Sequence, residues 1–75
     1  MRRQVNRWAT ENGGVATVTA IRTEDDRRYV EFTLDEWRTK TTLIFLDVEA
    51  RYLAHQFIAA SSVLIDMYKE AHPDG

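Results

Sequence analysis

The spacing of hydrophobic residues predicts four β-strands followed by one long helix. Over residues 28–34, apolar and polar residues alternate, which is typical of a strand with one buried and one exposed face. The β-branched run from Val15 to Ile21 predicts a strand before it, and an Asn-Gly-Gly turn precedes that run. We therefore expect an α+β fold, an antiparallel meander of three to four strands and one long C-terminal helix. The expected elements are strands at about 4–10, 15–22, 28–34 and 41–46, a helix at about 48–71 and a frayed tail at 72–75.

Two of these strands have an irregular pattern. In the first, Val5 and Trp8 fall on opposite faces, so the alternation is poor. In the fourth, apolar residues occupy both faces, which indicates a central strand or one whose second face is covered by a partner. Between the third and fourth strands, Thr33 and Glu36 have the spacing of a helix capping box. We favour a loop over 35–40.

The predicted helix carries most of the apolar residues of the second half of the chain. Asp47 is placed to cap it, and neither glycine nor proline follows until Pro73. A helix over 48–71 is about 36 Å long, whereas a seven-residue strand is about 23 Å long, so the helix extends beyond the sheet. We expect a second copy of the chain, or another protein, to cover the exposed part. The predicted interface consists of Phe57, Val63, Leu64, Ile65, Met67 and Tyr68.

Length and charge limit the function classes. The chain has 75 residues, no cysteine and a net charge of −2, which predicts a single small domain over 1–75 without disulfides. No apolar run is long enough to cross a membrane and no signal peptide is recognisable, so we expect a cytoplasmic protein without a membrane partner. Basic residues are concentrated in the first 40 positions, but acidic residues alternate with them there. That mixture argues against a strongly basic nucleic-acid surface.

Catalytic groups are scarce in the sequence. Ser61 and Ser62 lie in the middle of the predicted helix and His55 lies on its polar face, so no oriented nucleophile is recognisable. Asp47 is better placed as a helix cap than as a cation ligand, because Arg51 lies one turn away. We therefore expect no enzymatic activity, no catalytic residues, no metal and no cofactor.

One group of residues supports an alternative function. It mixes arginines with aromatic rings on the predicted strands and loops, a combination that binds single-stranded nucleic acid by stacking on bases and pairing with phosphates. The group consists of Arg3, Arg7, Trp8, Arg22, Arg28, Tyr29, Trp37, Arg38 and Lys40. The other interpretation is that the two tryptophans close the core and the arginines are solvated, and we favour it.

Two stretches resemble known protein groups. The segment 42–61, TLIFLDVEARYLAHQFIAAS, resembles a strand-to-helix unit of short accessory proteins from actinobacteria and their phages. That resemblance implies binding to a host protein. The order of four strands and a helix, with the phrase FTLDEW over 32–37, is similar to single-stranded-DNA-binding transcriptional coactivators. The second resemblance implies DNA binding by the sheet and a helix that starts near Asp35.

Together these observations predict a small, non-enzymatic interaction or regulatory module. We expect it to be homodimeric and to act as a phage or prophage accessory protein that binds a host protein. The alternative function is single-stranded nucleic-acid binding through the arginine and aromatic residues.

Overall fold

The chain folds as a four-stranded antiparallel meander followed by one helix, which confirms the predicted α+β class. The computed structural model describes residues 1–73, so positions 74 and 75 of the predicted tail lie outside the described residues. The sheet order is β1-β2-β3-β4, with each strand beside its neighbour in sequence. The elements are β1 (Arg2–Ala9), β2 (Val15–Arg22), β3 (Arg28–Glu36), β4 (Thr39–Leu46) and α1 (Asp47–Ala71).

A β-bulge explains the irregular pattern of the first strand. Gln4 pairs with Thr19 and Asn6 pairs with Val18, so Val5 is an extra residue without a partner on β2. A bulge of one residue reverses the alternation of faces beyond it. Trp8 therefore lies on the same face as Phe32, and their ring centroids are 6.4 Å apart.

The prediction of a loop over 35–40 is wrong. β3 continues to Glu36 and β4 begins at Thr39, so only Trp37 and Arg38 form the turn. Thr33 and Glu36 both lie within β3 and form no capping box. The helix start near Asp35, implied by the resemblance to the coactivators, is also not observed, because α1 begins at Asp47.

The helix begins without the side-chain cap that the sequence predicted. Asp47 is the first helical residue and forms an ion pair with Arg51 at 3.2 Å. The residue before it, Leu46, has extended backbone angles and no side-chain hydrogen bond to the first turn. Glu49 takes over part of the capping by accepting a hydrogen bond from the Leu46 backbone N–H at 3.1 Å. Both carboxylates remain favourable near the positive end of the helix dipole.

The register gives the sheet one apolar and one polar face. Residues paired across neighbouring strands share a face, so the apolar face of β2, β3 and β4 follows directly from the pairings. It consists of Ala16, Val18, Ala20, Val30, Phe32, Leu34, Leu43 and Phe45. The opposite face is polar in the middle, where Thr17, Thr33 and Thr42 lie side by side.

The first turns of α1 pack on the apolar face, over β3 and β4. Leu53 and Phe57 lie near Phe32 and Phe45. Since β4 is at the edge of the sheet, its apolar residues on both faces do not reflect a central position; Ile44 on the polar face is exposed. The other explanation, a partner that covers this face, stays a prediction.

The described chain buries very little apolar surface. Ala16, 1% exposed, is the single fully buried hydrophobic side chain within residues 1–73. The accessible surface is 6634 Å², whereas a compact monomer of this mass exposes about 4,700 Å². The radius of gyration is 16.4 Å, compared with about 11 Å for a compact domain of this length. The isolated chain is therefore extended, because α1 continues beyond the sheet.

Gly14 occupies a position with no room for a side chain. A Cβ atom built on it lies 2.5 Å from the backbone oxygen of Asp35. Gly13, its neighbour, has a positive φ of 83° and open space around it. Gly14 is thus required because β3 lies too close for a side chain, whereas Gly13 is favoured by its backbone conformation.

We predict that Gly14→Ala lowers the free energy of unfolding by about 1–3 kcal/mol, because β2 and β3 must separate locally to admit the methyl group. Gly13→Asn is the matched control, since asparagine tolerates positive φ and its side chain enters open space. Urea denaturation followed by circular dichroism measures both variants. Equal losses for the two variants would contradict the packing argument.

Candidate interaction surface

The part of α1 after Phe57 is exposed on all sides. Every described residue from 58 to 71 is exposed, although the segment is rich in large apolar side chains. At 3.6 residues per turn these apolar residues cover about half of the helix circumference. They continue the stripe that packs on the sheet in the first turns. Five residues of the predicted interface lie on this exposed part, Val63, Leu64, Ile65, Met67 and Tyr68, and the sixth, Phe57, directly precedes it. All six are 55–70% exposed.

The opposite half of the sheet's apolar face, formed by β1 and β2, is partly uncovered. α1 lies over β3 and β4, whereas no Cα atom of β1 or β2 comes within 8 Å of a helix Cα atom in the described chain. Trp8 remains 43% exposed and Ala20 is exposed. On this face β1 contributes Arg3, Asn6 and Trp8, and β2 contributes the buried Ala16, the half-buried Val18 and the exposed Ala20. A strip of mixed polarity, with Trp8 and Ala20 as its exposed apolar residues, therefore lies beside the helix.

Arginines gather at the end of this strip where α1 begins. Arg3, Arg22, Arg28 and Arg51 line a groove of about 370 Å³, together with Asp47. Arg22 and Arg28 lie directly opposite each other on β2 and β3, an arrangement of like charges that is destabilising by itself. We call these four residues the arginine edge.

Asp26 in the β2–β3 loop compensates part of that repulsion. Its carboxylate accepts a hydrogen bond from Arg22 Nε at 2.8 Å and lies 3.4 Å from Arg28 Nη2. The hydrogen bond and charge of Arg22, followed by those of Arg28, hold the pKa of Asp26 below its ordinary value of 3.8. Arg3 forms no ion pair within residues 1–73, so the arginine edge keeps a net positive charge.

The structure distributes the proposed nucleic-acid residues over separate places. Arg3, Arg22 and Arg28 belong to the arginine edge. Arg7 and Lys40 line a shallow groove on the polar face, beside Asp35. Trp8 lies on the apolar face and Tyr29 on the polar one, as their pairings with Ala16 and Ile21 show. Trp37 and Arg38 form the β3–β4 turn at a distance from the arginine edge.

The β3–β4 turn presents the most exposed aromatic ring of the described chain. Trp37 is 90% exposed and has a φ of 51°, a left-handed conformation that is costly for a large side chain. The Arg38 guanidinium lies over its ring at 4.8 Å from the centroid. An aromatic residue held in this conformation contributes little to packing here.

Groups for metal or catalytic chemistry do not converge in the part of the chain that is described. No three His, Asp or Glu side chains in residues 1–73 gather in a way that could hold a metal ion. His55 lies on the polar side of α1, and His72 follows the helix, where its ring stacks on Tyr68 at 4.2 Å. Over the same residues, no helix combines the length and apolar content that crossing a membrane requires.

Comparison with protein-family models, curated proteins and solved structures finds no match to this chain. The two resemblances drawn from short sequence stretches therefore stay predictions. The interpretation of the surface depends on its residues alone.

Part of this surface could not be predicted from the sequence. Val18 and Ala20 belong to the predicted second strand and Arg51 to the predicted helix, and none of the three was among the predicted site residues. The signal for Val18 and Ala20 was present in the length of the helix, because a helix that leaves the sheet early covers only part of it. The position of Arg51 beside Arg22 and Arg28 depends on the strand register, which the spacing of apolar residues does not define.

We predict that Asp26→Asn destabilises the fold most at neutral pH. Because the pKa of Asp26 is lowered by folding, its contribution is present above about pH 4 and is lost as the pH falls through the lowered value. Asparagine tolerates the φ of 63° at this position, so the substitution removes mainly the charge. Urea denaturation between about pH 6 and pH 3 should show the difference from wild type shrinking. Glu24→Gln, in the same loop, is the control.

We further predict that Trp37→Gly does not destabilise the fold. Glycine removes about 1–2 kcal/mol of left-handed strain and adds about 0.5–1 kcal/mol of chain entropy to the unfolded state. The net effect is a gain of up to about 1.5 kcal/mol in the free energy of unfolding, measured by urea denaturation. Arg38→Gly, in the same turn and without a positive φ, should lower stability. A clear loss with Trp37→Gly would instead assign the ring a structural role.

Proposed function

We propose that this chain is a small non-enzymatic interaction module that works as a homodimer, with α1 beyond Phe57 as the surface that meets the second copy. The observation that supports it is the combination of an apolar, fully exposed helix segment with a nearly absent core. Contiguous apolar surface of this extent on a soluble domain marks an interaction site. Folding of so small a chain gains from a second copy, because the hydrophobic effect is proportional to the apolar area removed from water.

We further propose that the homodimer has a regulatory role and binds another protein. The resemblance of segment 42–61 to actinobacterial and phage accessory proteins supports binding to a host protein. Trp37, which is 90% exposed and lies beside Arg38, is suited to that second contact, because tryptophan and arginine are enriched among the residues that contribute most to binding at protein interfaces. In this proposal α1 contacts the second copy of the chain, and the β3–β4 turn contacts the host protein.

Single-stranded nucleic-acid binding is the less favoured alternative. A nucleic-acid strand needs cations and rings along one continuous path. The nine residues proposed for it lie on both faces and at two ends of the sheet, and Arg22 and Arg28 are paired with Asp26. These placements favour the interaction module.

We predict that Leu64→Asp combined with Tyr68→Asp prevents dimer formation, because two carboxylates enter the apolar segment. The matched control is Ser62→Asp with Lys69→Asp, two changes on the polar side of the same turns, which should leave the dimer intact. Light scattering with size-exclusion chromatography gives the mass, and circular dichroism gives the fold.

Two outcomes would contradict the proposal. One is a wild-type chain that is a well-folded monomer at all concentrations. The other is an unchanged dimer in the Leu64 and Tyr68 variant, which would exclude the helix as the contact. A variant that is monomeric, whether folded or unfolded, supports the proposal as long as the control stays dimeric.

A further inference from the structure

We infer that the two copies exchange their helix ends in antiparallel orientation, so that residues 58–71 of each chain lie on the β1–β2 strip of the other chain and end at its arginine edge. This inference rests on the proposed homodimer and defines its geometry. It assigns the open strip and the arginine edge to a specific occupant, the C-terminal half of the second copy's helix.

The dimensions of the uncovered strip fit one helix. Four strands at about 4.8 Å spacing form a sheet about 19 Å wide, and a helix with side chains is about 10 Å across. Two helices therefore cover the face, and the chain's own helix occupies only β3 and β4. In length, residues 58–71 span about 21 Å, and an eight-residue strand spans about 26 Å.

The width of the apolar surface on the helix favours this arrangement over a parallel pair. In a parallel pair, both C-terminal halves would point away from both sheets and could contact only each other. A two-helix contact of that kind buries a narrow seam of the helix circumference. Residues 58–71 carry apolar side chains over about half of the circumference, including Ile58, Ile65 and Tyr68 outside the seam. A sheet together with a neighbouring helix covers such a surface.

The charges at the two ends are complementary. In an antiparallel pair with full overlap, each helix ends where the other begins, which is the position of the arginine edge. Four arginines there face two carboxylates, Asp26 and Asp47. The arriving end carries Asp66 and Glu70 against Lys69, together with the partial negative charge of a helix C-terminus.

The excess accessible surface of the chain is large enough for a dimer interface. The described chain exposes about 1,900 Å² more than a compact monomer of its mass. A standard interface removes about 800 Å² from each partner, and obligate dimers remove more. The excess is sufficient for a dimer in which each helix end is covered by the other sheet. A dimer of this length is expected to have a radius of gyration of about 15 Å.

Spin-label distances test the orientation directly, because the chain has no cysteine and each introduced one is unique. Lys69→Cys and Ser62→Cys place a label on the polar side of the helix, near its end and near its middle. For antiparallel helices we expect a distance between Lys69 labels of about 25 Å or more and a shorter one between Ser62 labels. Pulsed electron paramagnetic resonance measures both.

Other label distances would overturn either the antiparallel arrangement alone or the homodimer as well. Short distances for both labels would show parallel helices and overturn the inference, while the homodimer would stand. A long Ser62 distance in a confirmed dimer would place the contact away from the helices and also overturn it. The absence of any dipolar signal together with a monomeric mass would overturn the proposed function itself.

A charge exchange tests the arginine edge. Arg3→Glu should raise the dissociation constant about fivefold per contact, and about 25-fold in total, because a two-fold axis repeats each contact. Glu70→Lys in the same chain should restore part of the affinity. Arg38→Glu, the same change at the far end of the sheet, is the control and should have no effect.

An unchanged dissociation constant with Arg3→Glu would overturn the assignment of the arginine edge. If that variant also loses salt-dependent binding to a fluorescent single-stranded oligonucleotide, the arginine edge is a phosphate surface instead. Sedimentation measures the dissociation constant and fluorescence anisotropy measures oligonucleotide binding, both on the full chain.

Discussion

A single α-helix is about half as wide as a four-stranded sheet, and the arrangement of this molecule follows from that ratio. The chain has four strands and only one helix to cover their apolar face. The first turns of α1 cover β3 and β4, and then the helix leaves the sheet. Two apolar surfaces remain as a result, one on the sheet and one on the helix. The continuation of the helix beyond the sheet also explains why the chain has a larger radius of gyration than a compact domain of the same length.

Most of the fold could be predicted because strands and helices have different periods. Alternation over 28–34 and the apolar stripe after Asp47 gave the element types and their order. The first strand was harder, because the bulge at Val5 reverses the alternation in its middle and a pattern of period two cannot show this. The turn at Trp37 and Arg38 was missed for a different reason. A tight turn normally carries glycine or asparagine, and here a tryptophan takes the left-handed conformation.

The candidate surface also has one part that could be predicted from the sequence and one part that could not. The exposed residues of α1 could be named from the sequence, since their number exceeds what a short sheet can cover. The arginine edge could not, because Arg3, Arg22, Arg28 and Arg51 are far apart in sequence and meet only through the register of three strands and the start of the helix. Electrostatic detail of this kind depends on positions within a few ångströms. Hydrophobic patterning constrains those positions only indirectly.

For a chain that works as the proposed homodimer, the near absence of a buried core has a consequence for how the amount of the protein is controlled. When folding is completed by a second identical chain, the folded fraction rises with total concentration by mass action. Dilute chains are then mostly unfolded and are removed by cellular proteases, which act on open states. Such a chain persists only above a threshold of its own synthesis. With Ala16 as the one fully buried hydrophobic side chain of the described residues, the abundance of this molecule would respond steeply to its rate of production.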